Sequence, residues 1–195
     1  MNANKFSSAK LLTALLASLM LSGCASLIDA TTEEPLQVNP GKRSLGSYID
    51  DQQLETIITV NLRKASPELK AAHLDVVSFN GVVLLTGQVN SNSLRQQASS
   101  VARNVNSVRQ VFNEIQISGN TSMLARANDT WLTTKVKTVL MSNKDIDSGR
   151  IKIVTENGTV YLLGLLSRVE AEKAANVVSH VQGVQKVVKA IEYID

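Results

Sequence analysis

The chain has 195 residues, 44% hydrophobic and 19% charged, the proportions of a globular protein and not of a disordered one. Its 20 basic side chains against 17 acidic ones include Lys5 and Lys10, which a cleaved leader would remove. The remainder is nearly neutral and lacks the dense basic patch that nucleic-acid binding demands. A single cysteine excludes an internal disulfide, so stability must come from packed cores.

In chain order, Lys5 and Lys10 precede the apolar run Leu11 to Leu21, interrupted only by Thr13 and Ser18. A charged segment followed by a short apolar one is the pattern of an export signal. At about 1.5 Å per residue the run is too short for an ordinary membrane-spanning helix. Directly after it, Leu21-Ser22-Gly23-Cys24 resembles the lipobox of bacterial lipoproteins. That resemblance implies that residues 1–23 are a signal peptide, that cleavage falls before Cys24, and that Cys24 carries the lipid. Ala25 stands where an aspartate would retain a lipoprotein at the inner membrane, which implies the outer membrane, facing the periplasm. Residues 24–47, with Pro35, Pro40, Gly41 and Gly46, read as a tether.

From Tyr48 onward the chain repeats itself. Leu54, Ile58 and Leu62 correspond to Leu132, Val136 and Leu140, a helical spacing, and Leu74 and Val76 correspond to Ile151 and Ile153, a strand spacing. Asn80-Gly81-Val82-Val83-Leu84-Leu85-Thr86-Gly87 then aligns with Asn157-Gly158-Thr159-Val160-Tyr161-Leu162-Leu163-Gly164. Each Asn-Gly pair supplies the positive φ angles of a tight hairpin, and Gly87 and Gly164 are expected to end the following strand. All four glycines are assigned conformational roles, because they are split across a hairpin and do not open a helix as a phosphate cradle would. A helix over Asn92 to Asn104, or Arg168 to His180, leads through Val105-Asn106-Ser107-Val108, or Val181-Gln182-Gly183-Val184, to a last strand ending Ile115-Gln116-Ile117 or Ile191-Glu192-Tyr193. The fold expected is α+β: two tandem αββαβ domains, over residues 48–118 and 127–195, each a three-stranded sheet packed against two helices. How the two pack across Ser118 to Ala127 is left open by the sequence.

This αββαβ module, with Asn-Gly-Val-Val-Leu-Leu-Thr-Gly, a following helix and a Val-x-x-Val turn, resembles the BON domain. Two copies behind a lipobox resemble the dual-BON outer-membrane lipoproteins. The resemblance implies a binding protein without catalysis or cofactor that supports envelope integrity, gathers at the division site and recognises anionic phospholipid, such as phosphatidylglycerol or cardiolipin, through its second domain. It also leaves room for an adaptor or chaperone-like role toward outer-membrane assembly machinery, contacting a protein through the first domain, and for a small-ligand or ion-binding module.

The residues add a difference between the copies. On a helical wheel Leu132, Val136, Val139 and Leu140 form the core stripe, while Trp131, Lys135 and Thr138 lie together well off its centre, flanked by Thr134 and Met141, with Lys137 further round. Trp131, the sole tryptophan, is thus expected at least half exposed, where the first copy has Gln53. A tryptophan beside lysines suits a headgroup layer, because indole is amphipathic and ammonium attracts phosphate. The competing placement folds Trp131 back over the core or between the domains. Trp131, Leu132, Thr134, Lys135, Lys137, Thr138 and Met141 are the candidate phospholipid-binding residues.

Other chemistry is weaker. His73 and His180 have no cysteine or ordered carboxylate spacing around them and read as surface or boundary residues, so no metal site is expected. Asp145 and Asp147, near Asn143 and Lys144, lack the glycine and terminal glutamate of a calcium loop. No nucleophile stands with a base in a recognisable arrangement.

Overall fold

A computed structural model describes residues 43–119 and 122–195; the leader, Cys24 and most of the tether lie outside the described residues. The first domain runs α1 (Leu45–Ala65), a five-residue α2 (Pro67–Ala71), β1 (His73–Phe79), β2 (Val82–Val89), α3 (Asn92–Arg103), β3 (Gln110–Asn113) and β4 (Gln116–Ile117). The second runs α4 (Met123–Ser142), a 3-10 turn (Ser148–Arg150), β5 (Ile151–Glu156), β6 (Thr159–Leu166), α5 (Arg168–Ser179) and β7 (Lys186–Tyr193).

Both long helices begin earlier than composition suggests. Ser44 and Ser122 accept from the backbone N–H groups of Ser47 and Ala125, so α1 starts inside the stretch read as tether and α4 inside the stretch read as linker. α1 buries Leu54, Ile58 and Leu62 against its sheet, and α4 buries Leu132, Val136 and Leu140, the stripe that the spacing predicts.

In each sheet the second strand is central: β2 pairs antiparallel with β1 and parallel with β3, and β6 does the same with β5 and β7. The hairpins turn at Asn80 (φ 52°) and Gly81 (φ 75°), and at Asn157 (φ 49°) and Gly158 (φ 72°), the left-handed pair of a type I′ turn. Asp51 on α1 takes the Asn80 and Gly81 N–H groups at 2.8 and 3.0 Å and the Ser78 hydroxyl at 2.6 Å. Asp129 on α4 takes those of Asn157 and Gly158 at 2.7 and 2.9 Å. The turns are thereby tied to the helices.

Gly87 and Gly164 do not end their strands; β2 continues to Val89 and β6 to Leu166. The glycines are needed because a neighbouring strand passes too close for a side chain. A Cβ on Gly87 would lie 2.0 Å from the His73 carbonyl oxygen, and one on Gly164 would lie 2.7 Å from that of Arg150. The first domain's last strand is broken between β3 and β4, unlike the continuous β7. At the break the Asn113 side chain donates to the Arg95 carbonyl on α3 at 2.7 Å and accepts from the Ile115 N–H, which diverts the backbone from the ladder.

Helices cover one face of each sheet, and the other faces meet. Phe79 and Leu84 of the first domain pack with Tyr161, Leu163, Leu165 and Ala190 of the second, giving four layers from α1 to α4. Burial there pushes the Tyr161 hydroxyl up to about 12. Polar ties rim this seam: Lys152 reaches Glu55 at 2.8 Å and the Ser78 carbonyl at 3.2 Å, Arg109 forks onto Glu192, and Gln88 donates to Glu156.

Burial pushes the Asp51 carboxyl up, but the Gly81 N–H, the Ser78 hydroxyl, the Asn80 N–H and Arg43 more than offset it, and its pKa lies below the ordinary 3.8. A depressed folded pKa gives stability that is complete above the unfolded value and is lost as pH falls through the folded one. Asp51→Asn should cost about 2 kcal/mol near neutral pH. In urea unfolding, the margin of wild type over the variant should shrink as pH drops below 3.8; a margin independent of pH would show that the carboxylate charge contributes nothing.

Candidate functional site

α4 turns its apolar stripe to the core, and what remains outside is an unusual face. Trp131 is 58% exposed, so it is neither a lid over the core nor a wedge between the domains. Lys135 Nζ sits 4.9 Å from the centre of the indole ring and donates to the Gln182 carbonyl at 3.0 Å. This fixes the ammonium over the ring's π face. About two turns from Trp131 in the N-terminal direction stands Leu124, 81% exposed, and further along toward the C-terminal end Met141, 74% exposed. Thr134, Lys137 and Thr138 are exposed as well.

The threonine hydroxyls are already committed. Thr134 donates to the Thr130 carbonyl at 3.1 Å and Thr138 to that of Thr134 at 3.0 Å, so they offer an incoming group methyls and lone pairs but no donor. Leu132 must be withdrawn from the candidate set. It is fully buried in the second domain's core, as its place in the apolar stripe requires, and it can touch no headgroup.

The first domain presents the corresponding face of α1 differently. Tyr48, Ile49, Gln52, Gln53, Thr56 and Ile57 line an open, apolar groove of about 380 Å³. Ile57 stands where α4 has Lys135, and no cation is among the lining residues. The two copies share a frame and differ in what they show outward.

A second cluster lies at the rim of the seam. His73 and Asp75 on β1 share the sheet face that looks toward the second domain, and Glu156 at the end of β5 completes a group whose ligand atoms lie within 4.8 Å of one another. Burial pushes the Glu156 carboxyl above its ordinary value, the Gln88 hydrogen bond pulls against this, Asp129 and Asp75 add to it, and His73 opposes it. His73 is therefore not the isolated boundary residue that its sequence neighbourhood suggests. His180 stays at the surface, with its ring on the Asn176 carbonyl at 2.7 Å. Asn143 and Asp147 spend their side-chain oxygens on the N–H groups of Asp145 and Gly149, which makes that acidic run a self-capped loop.

Sequence reasoning missed Asp51, Asp129 and the Gln88–Glu156 pair. The two aspartates were findable, since they occupy equivalent positions in the repeat alignment. Gln88 and Thr86 alternate with apolar residues on a wholly buried strand, a pattern that marks a polar patch on a covered face.

The BON domain family matches residues 50–119 and 128–195. The chain is 33% identical to "Outer membrane lipoprotein DolP" of Haemophilus influenzae, over 95% of this chain and 96% of that one. It is 37% identical to "21 kDa hemolysin" of Actinobacillus pleuropneumoniae over 78% of each, and 27% identical to "Osmotically-inducible protein Y" of Escherichia coli over 91% of each. Among the described residues, no helix is long and apolar enough to cross a membrane.

Because Trp131 is the sole tryptophan, its fluorescence reports this face alone. In the acyl-free protein (Cys24→Ala) without lipid or detergent, the emission should be that of a solvated indole and should be quenched freely by acrylamide. A blue-shifted, protected emission would contradict the placement.

Proposed function

Because the chain belongs to the BON-domain family, as a dual BON-domain lipoprotein, we propose that it is an outer-membrane lipoprotein, acylated at Cys24, whose second domain docks on anionic phospholipid through the outer face of α4. It is a binding protein that serves the integrity of the envelope and carries out no reaction. The observation that carries this reading is the pairing of an exposed indole with an ammonium held 4.9 Å from its ring centre, with exposed Leu124 on the same line of the helix and exposed Met141 to one side of it. Indole sits at the level of lipid headgroups, where Lys135 and Lys137 meet phosphate, each contributing about 1 kcal/mol. Leu124 and Met141 add apolar area that can enter the acyl boundary. The acyl anchor holds this weak face at high effective concentration over the membrane, so a contact too feeble to recruit the protein can still orient it.

In sedimentation with phosphatidylglycerol or cardiolipin vesicles, acyl-free protein (Cys24→Ala) should bind, and Trp131→Glu or Lys135→Glu should weaken that binding by about tenfold. Undiminished binding by folded variants would sink the reading.

The apolar groove on α1 favours a second reading for the first domain, an adaptor that holds a protein of the outer-membrane assembly machinery. A photo-crosslinker at Ile57 should then capture one discrete protein in the envelope while one at Lys137 does not; equal, diffuse labelling from both sites would count against it.

A further inference from the structure

His73 and Asp75 are two residues apart on β1, and the pleat therefore puts both side chains on one face. Their His73 Nε2 and Asp75 Oδ2 atoms are 3.9 Å apart. Glu156 comes from the other domain, at the end of β5, and all three offer ligand atoms within 4.8 Å of one another. Ligands around a tetrahedral cation stand about 3.4 Å apart, given metal–ligand bonds of about 2.0–2.1 Å, so small side-chain rotations close the set.

Two further observations point to a ligand. Thr86 is directly opposite Asp75 in the β1–β2 register and so shares its face; its side-chain oxygen is buried and, among the described residues, has no hydrogen-bond partner. Glu156 is buried, while its counterpart charges are a half-buried histidine and a second carboxylate. Gln88, the register partner of His73, holds Glu156 through a hydrogen bond, the outer support that metal-binding carboxylates characteristically receive.

We propose that His73, Asp75 and Glu156 form a binding site for a divalent transition-metal cation of the zinc class, which joins the two domains. One imidazole nitrogen and two carboxylates suit such a cation, and a fourth position is left to water. Thr86 Oγ1 serves as hydrogen-bond partner to that water. A doubly charged ion cancels the two carboxylate charges, including the one that would otherwise be buried with little compensation. Asp75 and His73 lie partly in solvent at the rim, which gives the ion an entry path. Since the ligands come from both domains, the ion fastens the seam at the end opposite the Lys152–Glu55 tie.

The test uses the full-length lipoprotein in a non-ionic detergent, stripped with chelator and titrated with zinc by calorimetry, then with cobalt(II) by visible absorption. The expected result is one ion per chain and a cobalt spectrum of low coordination number. His73→Ala and Glu156→Gln should each weaken zinc binding by at least about tenfold, while Asp145→Asn, in the exposed loop, leaves it unchanged. Zinc should raise the melting temperature of wild type but not of His73→Ala. His73→Ala alone is decisive if the buried Glu156 variant fails to fold, because His73 is half-exposed at the start of its strand. Absence of saturable zinc binding by wild type, or binding that is unchanged in His73→Ala, would overturn the proposal.

Discussion

Two buried carboxylates, Asp51 and Asp129, hold each domain together at the point where its helix, its hairpin and its crossover converge. A type I′ turn leaves successive backbone N–H groups pointing the same way, and in a buried turn these must find an acceptor. The aspartate supplies it from the first helix, while on the other side Gly81 and Gly158 give their carbonyls to the N–H groups of Arg109 and Gln185 at 2.8 and 2.9 Å. One tight turn therefore fixes the helix over the sheet and the return of the chain into the last strand. Given those anchors, the pleat decides which residues face the helices and which face the other domain.

Much of this could be read from residues alone, and the failures have physical causes. The second helices, Asn92–Arg103 and Arg168–Ser179, stop one residue short of their expected ends, because apolar spacing and flanking turns both mark them. The starts of α1 and α4 depend on single serine caps set among turn-forming residues, where composition speaks for a loop. Gly87 and Gly164 looked like strand ends because glycine weakens strands; the need for them comes from an adjacent strand that periodicity does not register. The helix stripe placed Trp131 outward but could not by itself remove Leu132 from the proposed contact set, although the stripe already assigned Leu132 to the core. The seam carried a signal that was harder to use: Val82 to Leu85 and Val160 to Leu163 are unbroken apolar runs, which signify strands covered on both faces. No such run reveals which polar partners will meet across the seam, so Glu156 and His73, distant in the chain, could not be joined.

Duplication followed by divergence explains the rest of the design. Both copies keep the turn-binding aspartate, the Asn-Gly pair and the close-approach glycine, which are demanded by the backbone. They differ where the backbone makes no demand, on the outer helix faces and on the inner sheet faces. The inner faces became complementary, with Arg109 opposite Glu192 and Gln88 opposite Glu156. The outer faces became distinct, one apolar and one combining indole with ammonium.

The four-layer order has a mechanical consequence. With the sheets spent on each other, α1 and α4 form the two outer layers, so whatever covers one leaves the other uncovered, and neither occupant need dislodge the other. Force applied between such occupants would cross the seam in compression or tension through packed strands and not through a linker. The body thus presents two outward helical faces kept apart by four layers of secondary structure.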